Sequence, residues 1–225
     1  PIWQQCGSID EHQCVSTIDF EVAALSAVRN VFPNARLKCC SFHLRQAWLR
    51  KIVNIGLKHE YMNGSSELGQ HLKYFFGLQY LPPDTVGDGF VELHSIIPAN
   101  PQANAFVEYV FENYVTDDAK FPPLLWAGSP SSDPRTTNGA ESFHKHFKKQ
   151  FHESHPSVHV LTAMLKELQS EIYISITSLE NRKVRKHIVQ KHTFNMDLWK
   201  RYSAGTISLL QYIKTLGHRY QPQHL

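Results

Sequence analysis

Two short runs rich in β-branched residues, each followed at once by a helical pattern, constrain the fold more than any other feature of the chain. His12 to Ile18 (HQCVSTI) reads as a buried strand ending at Asp19, and Glu21 to Val31 carries Val22, Leu25, Val28 and Val31 at helical spacing. Pro33 and Asn34 break that helix, and Ala35 to Cys40 (ARLKCC) reads as a second strand. A second helix follows, with Leu44, Trp48, Ile52 and Ile55 on one stripe and Gly56 closing it. Strand, helix, strand, helix predicts an α/β arrangement in which a parallel-type sheet is flanked by helices.

Beyond this corner the texture changes. Residues 59–120 read as helices and loops, with an aromatic patch from Tyr74 to Tyr80, a helix entry at Leu81-Pro82-Pro83-Asp84 and an amphipathic stretch from Gln102 to Tyr114. Phe121 to Pro134 is rich in Pro, Gly and Ser and reads as a connecting loop. A helix is expected to open near Asn138, and another follows Pro156 with Leu161, Leu165, Leu168, Ile172 and Leu179 on its stripe. The chain thus divides into an α/β part (1–57), a mainly helical insertion with its connecting loop (58–134) and a helical C-terminal region (135–225). With 42% hydrophobic residues there is material for a core, which excludes wholesale disorder. No apolar run approaches the roughly 18 residues of a membrane span.

Charge is distributed unevenly. Through Asp133 there are 9 Lys/Arg against 14 Asp/Glu, whereas from Arg135 onward there are 14 against 6. A basic second half fits a polyanionic partner such as DNA, and equally a solvated helical surface. The four cysteines (Cys6, Cys14, Cys39 and Cys40) are too sparse for a disulfide scaffold and favour a reducing intracellular compartment. The sequence opens at Pro1 without a leader pattern and reads as a fragment.

Three places carry candidate chemistry. Asp19 lies where a strand hands over to a helix, a position from which a carboxylate holds a hard cation such as Mg²⁺ or caps the helix. Glu141, in Arg135-Thr136-Thr137-Asn138-Gly139-Ala140-Glu141, falls in the first turn of a helix, where the dipole alone accommodates an acid. Cys40 and His43 form a Cys-x-x-His pair that supplies half of a tetrahedral zinc site, or a buried thiol beside a capping histidine. Trp126 either anchors its loop to the core, the favoured reading, or stacks on a base. No Gly-rich phosphate loop, Gly-x-Ser-x-Gly elbow or His-Glu-x-x-His pair occurs, so the common nucleotide and hydrolase classes lack support.

The order of these pieces is more specific than any one of them. Asp19-Phe20-Glu21-x-Ala23, Val31-Phe32-Pro33, Cys40-Ser41-Phe42-His43-Leu44 with Gln46-Ala47, and Gly56-Leu57 together resemble the transposase domain of Mutator-like elements. The later block Arg135-Thr136-Thr137-Asn138-x-x-Glu141-Ser142-x-His144, preceded by a Pro-Pro…Trp126 segment, resembles the closing motif of the same family. The resemblance covers about residues 14 to 180. It implies a ribonuclease-H-like transposase core, only partly contained in this chain, with an Asp-Asp-Glu site and a helical insertion before the Glu. The 121 residues between Asp19 and Glu141 accommodate that insertion.

On this resemblance Asp19 is the second catalytic carboxylate, Glu141 the third, and Cys40 and His43 are the family's Cys-x-x-His motif with possible Zn²⁺ ligation. The implied chemistry is two-metal phosphoryl transfer on DNA with Mg²⁺ or Mn²⁺, in the nucleus. The first aspartate of such a site belongs to an earlier strand, and Asp10 is too close to Asp19 to serve. The chain therefore reads as the C-terminal part of a transposase and is expected not to cleave DNA by itself. Two positions depart from the family pattern, Cys39 and Gly139. The alternative is a domesticated DNA- or protein-binding module without catalysis. DNA contacts are expected from Lys145, Lys148 and Lys149 beside Glu141, and from Arg182, Lys183, Arg185 and Lys186. The resemblance leaves room for an oligomer and for no membrane partner.

Overall fold

A computed structural model describes residues 15–131, 135–151, 155–177 and 186–223. The strand β1 (Val15–Ile18) and the strand β2 (Arg36–Cys39) pair in parallel, with Ile18 opposite Cys39, and α1 (Val22–Val31) makes the crossover. β2 hands over directly to α2 (Ser41–Asn54). The expected order of strand, helix, strand, helix is present, and its sheet has two strands among the described residues. That is fewer than a ribonuclease-H-like core implies. The remaining described chain is mostly helical, so the α/β character is confined to this corner.

The helices that follow are α3 (Lys58–Met62), α4 (Glu67–Tyr74), α5 (Val86–Ile96), α6 (Pro101–Val110) and the short α7 (Pro123–Trp126). After them come α8 (Asn138–Lys149), α9 (Val158–Thr177), α10 (Lys186–Ser203) and α11 (Leu209–Tyr220). Gly56 ends α2 at φ +87°, a left-handed turn that favours glycine. Among the described residues no helix is long and apolar enough to cross a membrane.

The chain forms two compact units, residues 1–137 with 194–225, and residues 138–193. In the first, Trp48 of α2 is fully buried, its ring centroid 5.6 Å from those of both Tyr114 and Trp126. The aromatic patch Phe75–Tyr80 is a buried 3-10 turn against which α11 packs, and the Tyr212 hydroxyl donates to the Tyr80 carbonyl at 3.1 Å. Gly77 and Gly217 make that approach possible: a Cβ on Gly77 would strike the Ile213 carbonyl, and one on Gly217 would lie 2.6 Å from the Lys73 carbonyl oxygen. The segment 121–134, expected to be a connecting loop, is instead partly a core element, since Phe121, Leu125, Trp126 and Ala127 are buried. Pro, Gly and Ser content marked the irregular backbone at 127–131 but neither the short helix Pro123–Trp126 nor the apolar residues set among them.

The second unit holds α8, α9 and the start of α10. Phe143 and Phe147 on one side of α8, and Phe151 just past its end, form a ladder of rings with centroids 5.9 and 5.0 Å apart. On α9, Leu165 and Ile172 of the expected stripe are exposed, as are Tyr173, Ile174 and Ile176. Leu179 lies outside the described residues.

Candidate metal centre

In a parallel sheet ligands gather at the carboxyl ends of the strands, because backbone and loops open there. Asp19 and Cys40 each stand one residue past the last paired position of β1 and β2. The Cys40 amide donates to the Ile18 carbonyl at 2.8 Å, extending the ladder by one rung and fixing the two residues side by side. His43 sits in the first turn of α2, which brings its ring back over the same edge. Its Nδ1 is 2.8 Å from the Asp19 Oδ1. Donor atoms of Asp19, Cys40 and His43 all lie within 4.8 Å of one another, so the three side chains form a group that can hold a metal ion.

This geometry decides between readings that the sequence left open. The N-cap of α1 is Glu21, and no side chain caps that helix, so Asp19 is not a cap. His43 directs its Nδ1 at the Asp19 carboxylate. Cys40 is fully buried, while the side chains of Asp19 and His43 keep 52% and 28% of their exposure, so the group opens to solvent on one side. Burial pushes the thiol of the neighbouring Cys39 up to about 12, which leaves it a neutral core residue.

A third segment closes the site from 95 residues along the chain. The Ser41 amide donates to the Arg135 carbonyl at 2.8 Å. The Thr137 amide donates to the Cys40 Sγ at 3.3 Å, and the Thr137 hydroxyl lies 3.3 Å from that sulfur and 3.4 Å from the Asp19 Oδ1. Arg135 holds the segment in place. Its guanidinium donates to the carbonyls of Gln79 (2.9 Å), Gly128 (2.6 Å) and Ser129 (2.5 Å) and lies over the Tyr80 ring, 4.9 Å from its centroid. The motif Arg135-Thr136-Thr137 was visible in the sequence, but nothing there gave Thr137 a partner or Arg135 a positioning role.

Alongside runs a cleft of about 430 Å³ whose lining includes Arg36, Lys38, Ser41, Trp126 and Arg135. Burial, then the charges of Arg135 and Arg36, hold the Lys38 ammonium below its ordinary value. Lys38 donates to the carbonyls of Leu124 and Ala127 at 3.0 and 3.1 Å. Arg36 and Lys38 escaped the sequence reading, which looked for basic residues only in the second half. Trp126 is buried, its indole N–H donating to the carbonyls of Tyr114 and Phe121, so it anchors the segment and is not presented to a base.

Glu141 lies in the first turn of α8, in the second unit, and is exposed. By helical period it shares the face opposite the phenylalanine ladder with Lys145, Lys148 and Lys149, all exposed. Lys186 is exposed at the start of α10, whereas Arg182, Lys183, Arg185 and Asp10 lie outside the described residues. Comparison with family models, with curated proteins and with solved structures returns no match to this chain.

Proposed function

We propose that the chain is part of a DNA-processing enzyme of the Mutator-like transposase type, in which Asp19 and Glu141 hold divalent cations for phosphodiester cleavage and strand transfer. One observation carries this reading. Asp19, the Cys40-to-His43 motif and the first three residues of the Arg135-to-His144 motif meet at one strand edge, although 91 residues lie between the second and the third. Residues assembled by chance resemblance have no reason to touch. A carboxylate at the carboxyl end of a parallel strand is also where a cation-dependent site is expected in an open α/β sheet.

In this reading Asp19 offers one oxygen to a hard cation such as Mg²⁺ or Mn²⁺, and substrate phosphate oxygens complete the coordination. Arg36, Lys38 and Arg135 in the adjacent cleft, and Lys145, Lys148 and Lys149 on the face of α8 that carries Glu141, supply positive charge for a phosphate backbone. The setting for such chemistry is the nucleus, and the ribonuclease-H-like core belongs to the same proposal.

The test is linkage between metal and DNA. Where phosphates share the cation, duplex DNA raises Mn²⁺ affinity, and Asp19→Asn and Glu141→Gln each weaken Mn²⁺ binding, read by electron paramagnetic resonance. Mn²⁺ affinity indifferent to DNA and to both substitutions would overturn the proposal. DNA binding that persists in those variants without any Mn²⁺ linkage would favour a non-catalytic binding module.

A further inference from the structure

Asp19, Cys40 and His43 differ in kind from the ligands of a magnesium site. Mg²⁺ asks for oxygen in near-octahedral array, whereas a thiolate, an imidazole and one carboxylate are the donor set of a borderline ion in tetrahedral array. We infer that these three side chains form a single binding site for a zinc-class ion, with an open fourth position that water fills. This assignment goes beyond the DNA reading and does not rest on it.

Geometry and surroundings both favour it. Bonds of about 2.0–2.3 Å from a tetrahedral zinc put its ligand atoms roughly 3.3–3.8 Å apart, and the donors here already lie within 4.8 Å of one another. His43 Nδ1 and the Asp19 oxygen, now 2.8 Å apart, would have to part by about half an ångström to reach that spacing. The Thr137 amide points its hydrogen at the Cys40 sulfur, and the Thr137 hydroxyl stands within reach of both that sulfur and the carboxylate. Hydrogen bonds of this kind hold ligands in place and stabilise negative charge on sulfur. Closed structural zinc sites use four protein ligands, but three with a solvent-facing side is the arrangement of a site that keeps a water. Asp19 and His43 are the solvent-facing members and Cys40 the buried one. On binding, the thiol gives its proton to solvent and the thiolate bonds the metal.

Co²⁺ is the probe, because its visible absorption reports geometry and its near-ultraviolet charge-transfer band reports sulfur ligation. Titrating the chelator-treated chain is expected to give one equivalent of tightly bound Co²⁺ with strong tetrahedral bands and a sulfur charge-transfer band, all displaced by Zn²⁺. Cys40→Ser is expected to remove the charge-transfer band, while Asp19→Asn, at a solvent-facing position, keeps that band and loses affinity. Thr137→Val is expected to weaken binding by about tenfold, the low end for loss of an outer hydrogen bond. Weak octahedral bands, or a charge-transfer band that survives Cys40→Ser in a folded protein, would overturn the assignment. So would Co²⁺ affinity unchanged by Asp19→Asn and by His43→Gln. Zinc-class binding without linkage between Mn²⁺ and DNA leaves this site standing and removes the DNA reading; the converse result does the reverse.

Discussion

At the scale of single residues, the chemistry depends on side chains held by what lies behind them. Trp126 stacks edge-on against Trp48 and spends its N–H on two carbonyls. Trp126→Phe keeps most of the apolar contact but strands those acceptors, so it is expected to destabilise the protein by about 1–3 kcal/mol, measured by urea unfolding. A change of less than about 0.5 kcal/mol, the range of ordinary surface substitutions, would contradict the anchoring role. Asp19, Cys40 and His43 were all legible in the sequence as metal-ligating types, yet as two sites, one for a hard cation and one for zinc. Spacing of three residues flagged Cys40 and His43, but nothing local tells that Asp19 joins them. That follows only from the parallel register, which sets Ile18 opposite Cys39. Thr137 was beyond reach of sequence reasoning for the same reason.

At the scale of elements, close packing and capping are the testable features. α11 packs on the 75–80 turn at Gly77 and on the end of α4 at Gly217, where an added methyl group meets backbone atoms that cannot rotate away. Gly77→Ala and Gly217→Ala are each expected to cost about 1–3 kcal/mol or more, despite the better helix propensity of alanine. Thermal melts that show either variant more stable than the parent would rule out this packing. The start of α11 is fixed by a capping box, in which Ser208 accepts from the Gln211 amide while the Gln211 side chain accepts from the Ser208 amide. Ser208→Ala is expected to cost about 0.5–2 kcal/mol, seen as an earlier melting midpoint, with Ser208→Asp nearly neutral. Periodicity located the first two strands and helices within one to three residues, because β-branched runs and helical stripes are local properties. It failed at 121–131, where apolar residues between prolines and glycines fold inward by contacts remote in sequence. It placed Leu165 and Ile172 on one stripe of the helix after Pro156, and on α9 both are exposed.

At the scale of the whole molecule, buried phenols and a histidine packed edge-on against Tyr74 set the response to pH. Tyr61, Tyr80, Tyr114 and Tyr212 are held above the ordinary phenol value, chiefly by burial. Folding therefore favours their neutral form. That stabilisation is intact below a pH of about 10 and is lost as pH rises above it. Phenolate absorbance is expected to appear together with cooperative unfolding; smooth titration of all tyrosines near the ordinary value in a folded protein would contradict it. His218 is held below its ordinary value of 6.5, first by burial and then by Lys73 and Lys214. Its protonation opposes folding, so its contribution is present above 6.5 and is lost as pH falls through the lowered folded value. His218→Gln is expected to flatten the decline of melting temperature on acidification, and an unchanged decline would exclude His218 as its source. The charge asymmetry between the halves pointed to a polyanion, while Arg36 and Lys38, which line a cleft with Arg135, lay hidden in a first half that is acidic overall. Composition averages over a surface that the fold then sorts.

In the proposed function Asp19 serves a cation at the carboxyl edge of the parallel strand pair, and DNA meets it there. The most direct measurement is an anomalous difference map from crystals of the chain grown with Mn²⁺ and a short DNA duplex. A manganese peak within bonding distance of the Asp19 carboxylate, with a DNA phosphate on its far side, is the expected result. A peak remote from Asp19, or none there while Asp19, Cys40 and His43 are well ordered, would contradict the claim.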